Sequence, residues 1–366
     1  MPDDQPKMTL RGHGGSSVSS LCFLRKNLLL SCDSSEEGCL TLWNIDSRRI
    51  ITKLNCKSGS DENGINNGGG LFVGRFSTCS DKFIYQQRNG LSVYDIEAMQ
   101  KVSFVETDTL GFCQATTCDN LVIFPDSLPN RSSSFNIWDH RCDQSTVKKF
   151  AAFGEDTDEK YGMLSSLSAV IHGNNLDVAC GTESGAILYH SLTYSPTTVG
   201  VASSVSALSV GIDPVLGIDL VPSGDDGSSS AVGVAGVAGD AIEIAQKIKP
   251  EDRGTIVTFK VKPTYDGSQI KSTLKMRQRI NTCEVGSMAA GGKPGVACCK
   301  FRNDGRIFAT GGWDRRIRVF SRSGKSLAIL KGHSDSVTCL DWNPWIHHML
   351  ATGSADSRIS LWDVSF

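Results

Sequence analysis

The residues near the end of the chain that could do hydrolytic chemistry are His333, Asp356 and a serine, Ser354 or Ser360. An imidazole oriented by a carboxylate beside a hydroxyl is the arrangement that activates a nucleophile. Their spacing argues for something else. Gly332-His333 opens the stretch, Asp356 sits in a tight turn, and Trp362 follows the histidine by 29 residues. Parts of this set return elsewhere: His13 and Trp43 are 30 residues apart, and Asp314 precedes Phe320 by six residues, as Asp356 precedes Trp362. A set that recurs at repeat positions is better explained by recurring architecture, and no catalytic residue is expected.

Other chemistries have less to stand on. His347 and His348 are adjacent but have no cysteine or carboxylate ligand set near them, so no metal is expected. The 13 cysteines form no CxxC pair and several fall inside apolar runs. This is the pattern of reduced, buried thiols in a cytoplasmic or nuclear protein. The glycine-rich pieces match neither GxxxxGK[ST] nor GxGxxG, and no cofactor is expected. With 37 basic and 39 acidic residues the net charge is −2, which gives no general case for nucleic acid or an anionic membrane. The dense basic run from Lys300 to Lys331 could face an acidic partner or nucleic acid, but it interleaves with strands on alternating faces and reads by default as solvated surface. The N-terminus carries no apolar signal core, and no stretch of 18 or more residues is apolar enough to span a membrane.

The elements that position these residues are short strands. In the last stretch, Val337–Leu340, Met349–Thr352 and Ile359–Trp362 are apolar runs separated by turns. With the Gly-His opening and the closing Trp-Asp, they make the signature of one WD40 propeller blade. Such a blade must stack on neighbours. The chain divides into seven, at about 14–54, 70–106, 111–150, 162–209, 214–276, 285–330 and 337–366. The seventh lacks an outer strand. Met8–Arg11, within MTLRGH, resembles the strand before Gly332 and is expected to supply it, closing the ring through the termini over residues 8–366. Phe112–Thr117 is predicted as the first strand of blade 3 and Glu37 as the turn acid of blade 1. Residues 255–261 are predicted as the third strand of blade 5, with 240–253 as an insertion. The fold class is all-β, a seven-bladed propeller.

The WD40 resemblance implies a role for the recurring set. His333, Thr352, Asp356 and Trp362, with His13, Trp43, Trp138 and Asp314, form a structural hydrogen-bonding and packing network. Interest then moves to residues outside it. Trp313 stands in a turn beside Arg315 and Arg316, where packing against the neighbouring blade is the alternative to a partner contact, and Trp342 and Trp345 stand in an aromatic-rich turn. These are candidate partner anchors, because buried aromatics and arginines dominate interfaces.

The stretches TLRGH, IWDHR, PVLGIDL, FATGGWDRRIRVF and GSADSRISLWDV resemble the guanine nucleotide-binding protein subunit beta-like protein 1 family, related to the fungal ASTRA-associated WD40 subunit. The resemblance implies a non-catalytic scaffold in the maturation of phosphatidylinositol 3-kinase-related kinases, with cochaperones of the TELO2–TTI type, or in an ASTRA-like chromatin-associated complex. It does not imply pairing with a G-gamma subunit, since only about seven residues precede the first strand and no amphipathic helix is seen there. The alternative is a substrate receptor of a cullin-4 ubiquitin ligase. Trp138-Asp139-His140-Arg141 matches the W-D-x-R motif by which such receptors dock on the DDB adaptor, with Asp139 and Arg141 as contacts.

Overall fold

The computed structural model describes residues 4–35, 38–56, 69–79, 81–107, 112–126, 134–142, 147–150, 158–195, 198–223, 231–239, 255–266, 269–282 and 294–366. Glu37, the insertion 240–253 and most of the loops 55–69 and 286–294 lie outside the described residues.

The strands form seven four-stranded antiparallel sheets, a seven-bladed propeller. Apart from a helical turn, Asp158–Tyr161, the regular structure among the described residues is all β. Six sheets use four consecutive strands. The seventh joins Val337–Trp342, Met349–Ser354 and Arg358–Asp363 to Met8–Arg11 from the other end of the chain. Met8 pairs with Leu361 and Arg11 with Arg358. Leu10 is buried there, the Lys331 amide donates to the Asp4 carbonyl, and Lys7 is ion-paired with Asp363.

Burial explains the sequence pattern of each blade. The second and third strands are covered on both faces by neighbouring blades and so read as continuous apolar runs. Leu28–Asp33 and Cys39–Asn44 are buried almost throughout. The outer strand Arg49–Asn55 meets solvent and is mostly exposed. In blade 5 the third and fourth strands are Ile256–Asp266 and Gln269–Ile280.

The innermost strands share a register. Those of blades 1, 4, 5, 6 and 7 carry a bulge just after the first residue, at Val18, Leu164, Val215, Val296 and Val337. Counting four residues from each of these gives Cys22, Ser168, Asp219, Lys300 and Asp341. Three of them clasp the next blade. Ser168 Oγ accepts from the Leu220 amide (3.1 Å), Asp219 Oδ2 from Phe301 (2.7 Å), and Asp341 Oδ2 from Phe23 (2.9 Å). The last of these crosses the closure from blade 7 to blade 1.

Blade 3 departs from expectation. Its first strand is only Thr116–Cys118, and Phe112 is exposed. The buried Gln86 side chain takes over the backbone there: its amide donates to the Cys113 carbonyl (3.2 Å) and its oxygen accepts from the Ala115 amide (2.7 Å). A side-chain amide thus satisfies groups that a longer strand would have paired.

Closure through Leu10 should be measurable far from the N-terminus. Leu10→Ala is expected to cost about 2–3 kcal/mol, read by urea unfolding. Unchanged stability in that variant would refute a closing role for this strand.

Candidate interaction site

The suspected catalytic set is a closed relay. Trp362 Nε1 donates to Thr352 Oγ1 (2.9 Å), which lies 2.8 Å from His333 Nε2, and His333 Nδ1 is 3.0 Å from Asp356 Oδ2. With the carboxylate accepting from Nδ1–H, Nε2 accepts from the Thr352 hydroxyl, so both ring nitrogens are engaged. The Ser334 amide donates to Asp356 Oδ2 and that of Arg358 to Oδ1. Burial works against the Asp356 charge, but the His333 bond and these amides outweigh it and bring the carboxyl down to about 2. Ser354 Oγ instead donates to the Asp335 carbonyl. No serine hydroxyl bonds the imidazole in this relay.

Blade 1 builds the same relay from different residues. Trp43 Nε1 donates to Ser31 Oγ (2.8 Å), His13 Nε2 is 2.9 Å from that oxygen, and His13 Nδ1 is 2.8 Å from Asp33 Oδ2. Asp33, at the end of the second strand, holds the position of Ser354. It also accepts from the Ser35 hydroxyl and the Cys39 amide. Aligning Leu29 and Trp43 with Leu350 and Trp362 would have found Ser31 and Asp33.

In blade 6 the turn acid Asp314 is held by Arg318 from the third strand, whose guanidinium reaches both carboxylate oxygens (3.1 and 2.6 Å) and the Thr282 carbonyl. Both side chains are buried. Trp138 is buried in blade 3, but its indole donates to the Cys142 carbonyl in its own turn.

The candidate anchors separate sharply. Trp313 is half-buried and lies over Gly295, whose φ of +135° and contact with the ring leave no room for a side chain. Arg315 takes a positive φ in that turn, and the Arg316 amide faces Asp314. Trp342, expected in the aromatic-rich turn, lies instead at the end of the strand Val337–Trp342 and in the core. It is 1% exposed and packs with Leu340 and Trp362, its indole donating to the Lys300 carbonyl (3.1 Å). Trp342 ends an innermost strand and is covered there, whereas Trp345 is on the turn itself and is 47% exposed. Arg141 forms a two-point pair with Asp139 at the surface. His347 and His348 are exposed, and among the described residues no group of three His, Cys, Asp or Glu could hold a metal.

A channel of about 490 Å³ runs between the innermost strands of all seven blades. On the side carrying the turns between first and second strands, Asp341 binds two cations. Lys300 Nζ reaches Oδ1 (2.6 Å) and Arg75 Nη1 stands 3.6 Å from Oδ2. Arg75 also donates to the Phe23 carbonyl (3.2 Å) and stacks over the Trp345 ring (5.8 Å). The neighbouring Asp219 also lines the channel, and desolvation pushes its carboxyl up against the pull of Lys300. Lys300 opened the basic run read from the sequence, but Arg75, Asp219 and Asp341 were not singled out. The offset that Asp219, Lys300 and Asp341 share along the innermost strands was the signal for those three, and Arg75, on a strand without the bulge, has none.

Residues 4–44, 285–321 and 324–363 match the family model described as WD domain, G-beta repeat. These three stretches therefore match WD40 repeats, within a fold that is a seven-bladed β-propeller. Over nearly its whole length it resembles two groups of relatives. It is 25% identical to guanine nucleotide-binding protein subunit beta-like protein 1 of Mus musculus, over 99% of this chain and 97% of the relative. It is 23% identical to ASTRA-associated protein 1 of Schizosaccharomyces japonicus, over 98% of each. A 64-residue stretch is 45% identical to ASTRA-associated protein 1 of Schizosaccharomyces pombe, covering 17% of both chains.

Two outcomes follow. The Asp356 carboxyl is depressed in the folded protein, so its stabilisation is present above about pH 4 and lost as pH falls from about 4 toward about 2. Asp356→Asn should therefore unfold more easily at pH 7, with the gap to the native protein narrowing through that window. A gap independent of pH would sink the assignment. Trp342→Ala should cost about 3–5 kcal/mol, whereas Trp345→Ala should stay within about 1 kcal/mol, both read by chemical denaturation.

Proposed function

We propose that this chain is a non-catalytic protein-interaction scaffold working within an ASTRA-like assembly, in the cytoplasm and nucleus. The observation that carries the reading is the nearly full-length similarity to ASTRA-associated proteins of several fungi. The frame is consistent with it: the groups that looked catalytic are engaged inside the blades, both nitrogens of His333 and of His13 included. A finer reading places the chain in the maturation of phosphatidylinositol 3-kinase-related kinases, with cochaperones of the TELO2–TTI type as partners. It rests on the family resemblance alone.

The exposed Asp139–Arg141 pair supports a second reading, docking on a DDB ligase adaptor. Affinity purification of the full chain, with partners identified by mass spectrometry, separates the two. The scaffold reading expects kinase-maturation or ASTRA-type components, recovered equally well with Arg141→Glu. Recovery of the ligase adaptor, lost in Arg141→Glu, would replace it with the receptor reading. Recovery of neither set would overturn both.

A further inference from the structure

The Arg75–Lys300–Asp341 cluster is more than a brace between blades, because its charges are unequally exposed. The Asp341 side chain is 1% exposed, while those of Arg75 and Lys300 are 26% and 42% exposed. The carboxylate is sunk in the wall, bound by the Phe23 amide as well as by the two cations. Asp219, the other acid at this level, is half-buried and lines the channel, but both of its oxygens are engaged, Oδ1 by the Ser168 hydroxyl and Oδ2 by the Phe301 amide. The acids are therefore satisfied, Asp341 within the wall and Asp219 at its surface, while the two cations face the channel with partly exposed side chains.

The cations also have donors to spare. Arg75 makes its hydrogen bonds and ion pair through Nη1, which leaves Nε and Nη2 without a partner among the described residues. That edge is the fork which binds a carboxylate at two points. Lys300 has three donors and one partner, Asp341. Both reach the same carboxylate, so they stand side by side. Beyond Arg75 lies Trp345, an exposed ring that Arg75 keeps in place. In a narrow channel with low-dielectric walls, such charges act more strongly than on an open surface.

We propose that this mouth of the channel is a docking site for an acidic segment of a partner protein, which places a carboxylate on Arg75 and Lys300 and rests its chain on Trp345. The proposal rests on the reading that the chain works by binding proteins, and it names where and by what chemistry. A free inorganic anion satisfies the cations but makes no use of the aromatic ring, which favours a peptide as the occupant.

A labelled decaglutamate peptide, followed by fluorescence anisotropy against the full-length protein, tests this. The peptide should bind, and binding should weaken as ionic strength rises. Arg75→Gln and Lys300→Gln should each weaken it by about tenfold. Trp345→Ala should weaken it by about threefold or more, and because this ring is exposed, that variant keeps the test readable if either charge variant melts early. Absence of binding, or binding unchanged in Trp345→Ala and in whichever charge variants remain folded, would overturn the proposal. So would inorganic phosphate displacing the peptide at low occupancy, since that makes the site one for a free anion. Failure here while purification still recovers an ASTRA-type partner set refutes this docking site and leaves the scaffold reading standing. Peptide binding that is lost in the variants supports the site even where purification returns nothing.

Discussion

A four-stranded sheet with both faces apolar cannot exist alone in water; each face must be covered by another sheet. Around a ring this requirement has one solution, in which every blade is covered on both sides and the last meets the first. The pairing of Met8–Arg11 with Arg358–Asp363 is where that condition is met in this chain. Asp341 reinforces the same place: from blade 7 it holds the Phe23 amide of blade 1, Arg75 of blade 2 and Lys300 of blade 6. Four of the seven blades are thus tied to one buried carboxylate at the seam.

Each blade also has turns whose polar groups must be satisfied close to a packed core, and the chain meets this need with different chemistry in different blades. Blade 7 uses tryptophan, threonine, histidine and a turn aspartate. Blade 1 substitutes a serine and an aspartate two residues further along the same strand. Blade 6 replaces the imidazole with the Arg318 guanidinium, which engages the same turn carboxylate at two points. Next to blade 3, Gln86 bonds the backbone directly. What recurs is an anchored turn, more than a fixed set of residues.

This explains what the sequence disclosed and what it withheld. The blade count and the closing strand were legible because strand periodicity, turn residues and the spacing from histidine to tryptophan are local patterns. Glu37 was the natural candidate for the blade 1 turn acid, because Asp356 fixes the offset from the tryptophan at six. The hairpin in blade 1 is two residues longer, which puts Ser31 twelve residues before Trp43 where Thr352 is ten before Trp362, and Asp33 bonds His13 from the strand instead. Trp342 and Trp345 are three residues apart in one aromatic-rich segment, and nothing local says which ring points into the blade interface. That is decided by Leu340 and Trp362, which pack with Trp342. The charged layer was hidden for a related reason. Asp219, Lys300 and Asp341 come from three blades, and only the common bulge, which sets their register, brings them to one level.

The contrast between these two polar systems bears on where the molecule can recognise anything. In the histidine relays every donor finds an acceptor within the blade, so an approaching group gains no hydrogen bond there without breaking one. At the channel mouth the arginine fork is half-used and the ammonium has donors left over, while Asp341, which balances them, is buried behind the Phe23 amide. A group that offers acceptors to Arg75 and Lys300 adds bonds without displacing the clasp between Asp341 and Phe23, because that clasp uses a backbone donor the ligand cannot supply. Binding at this mouth is therefore compatible with an intact ring, which a rigid scaffold requires of any site it uses repeatedly.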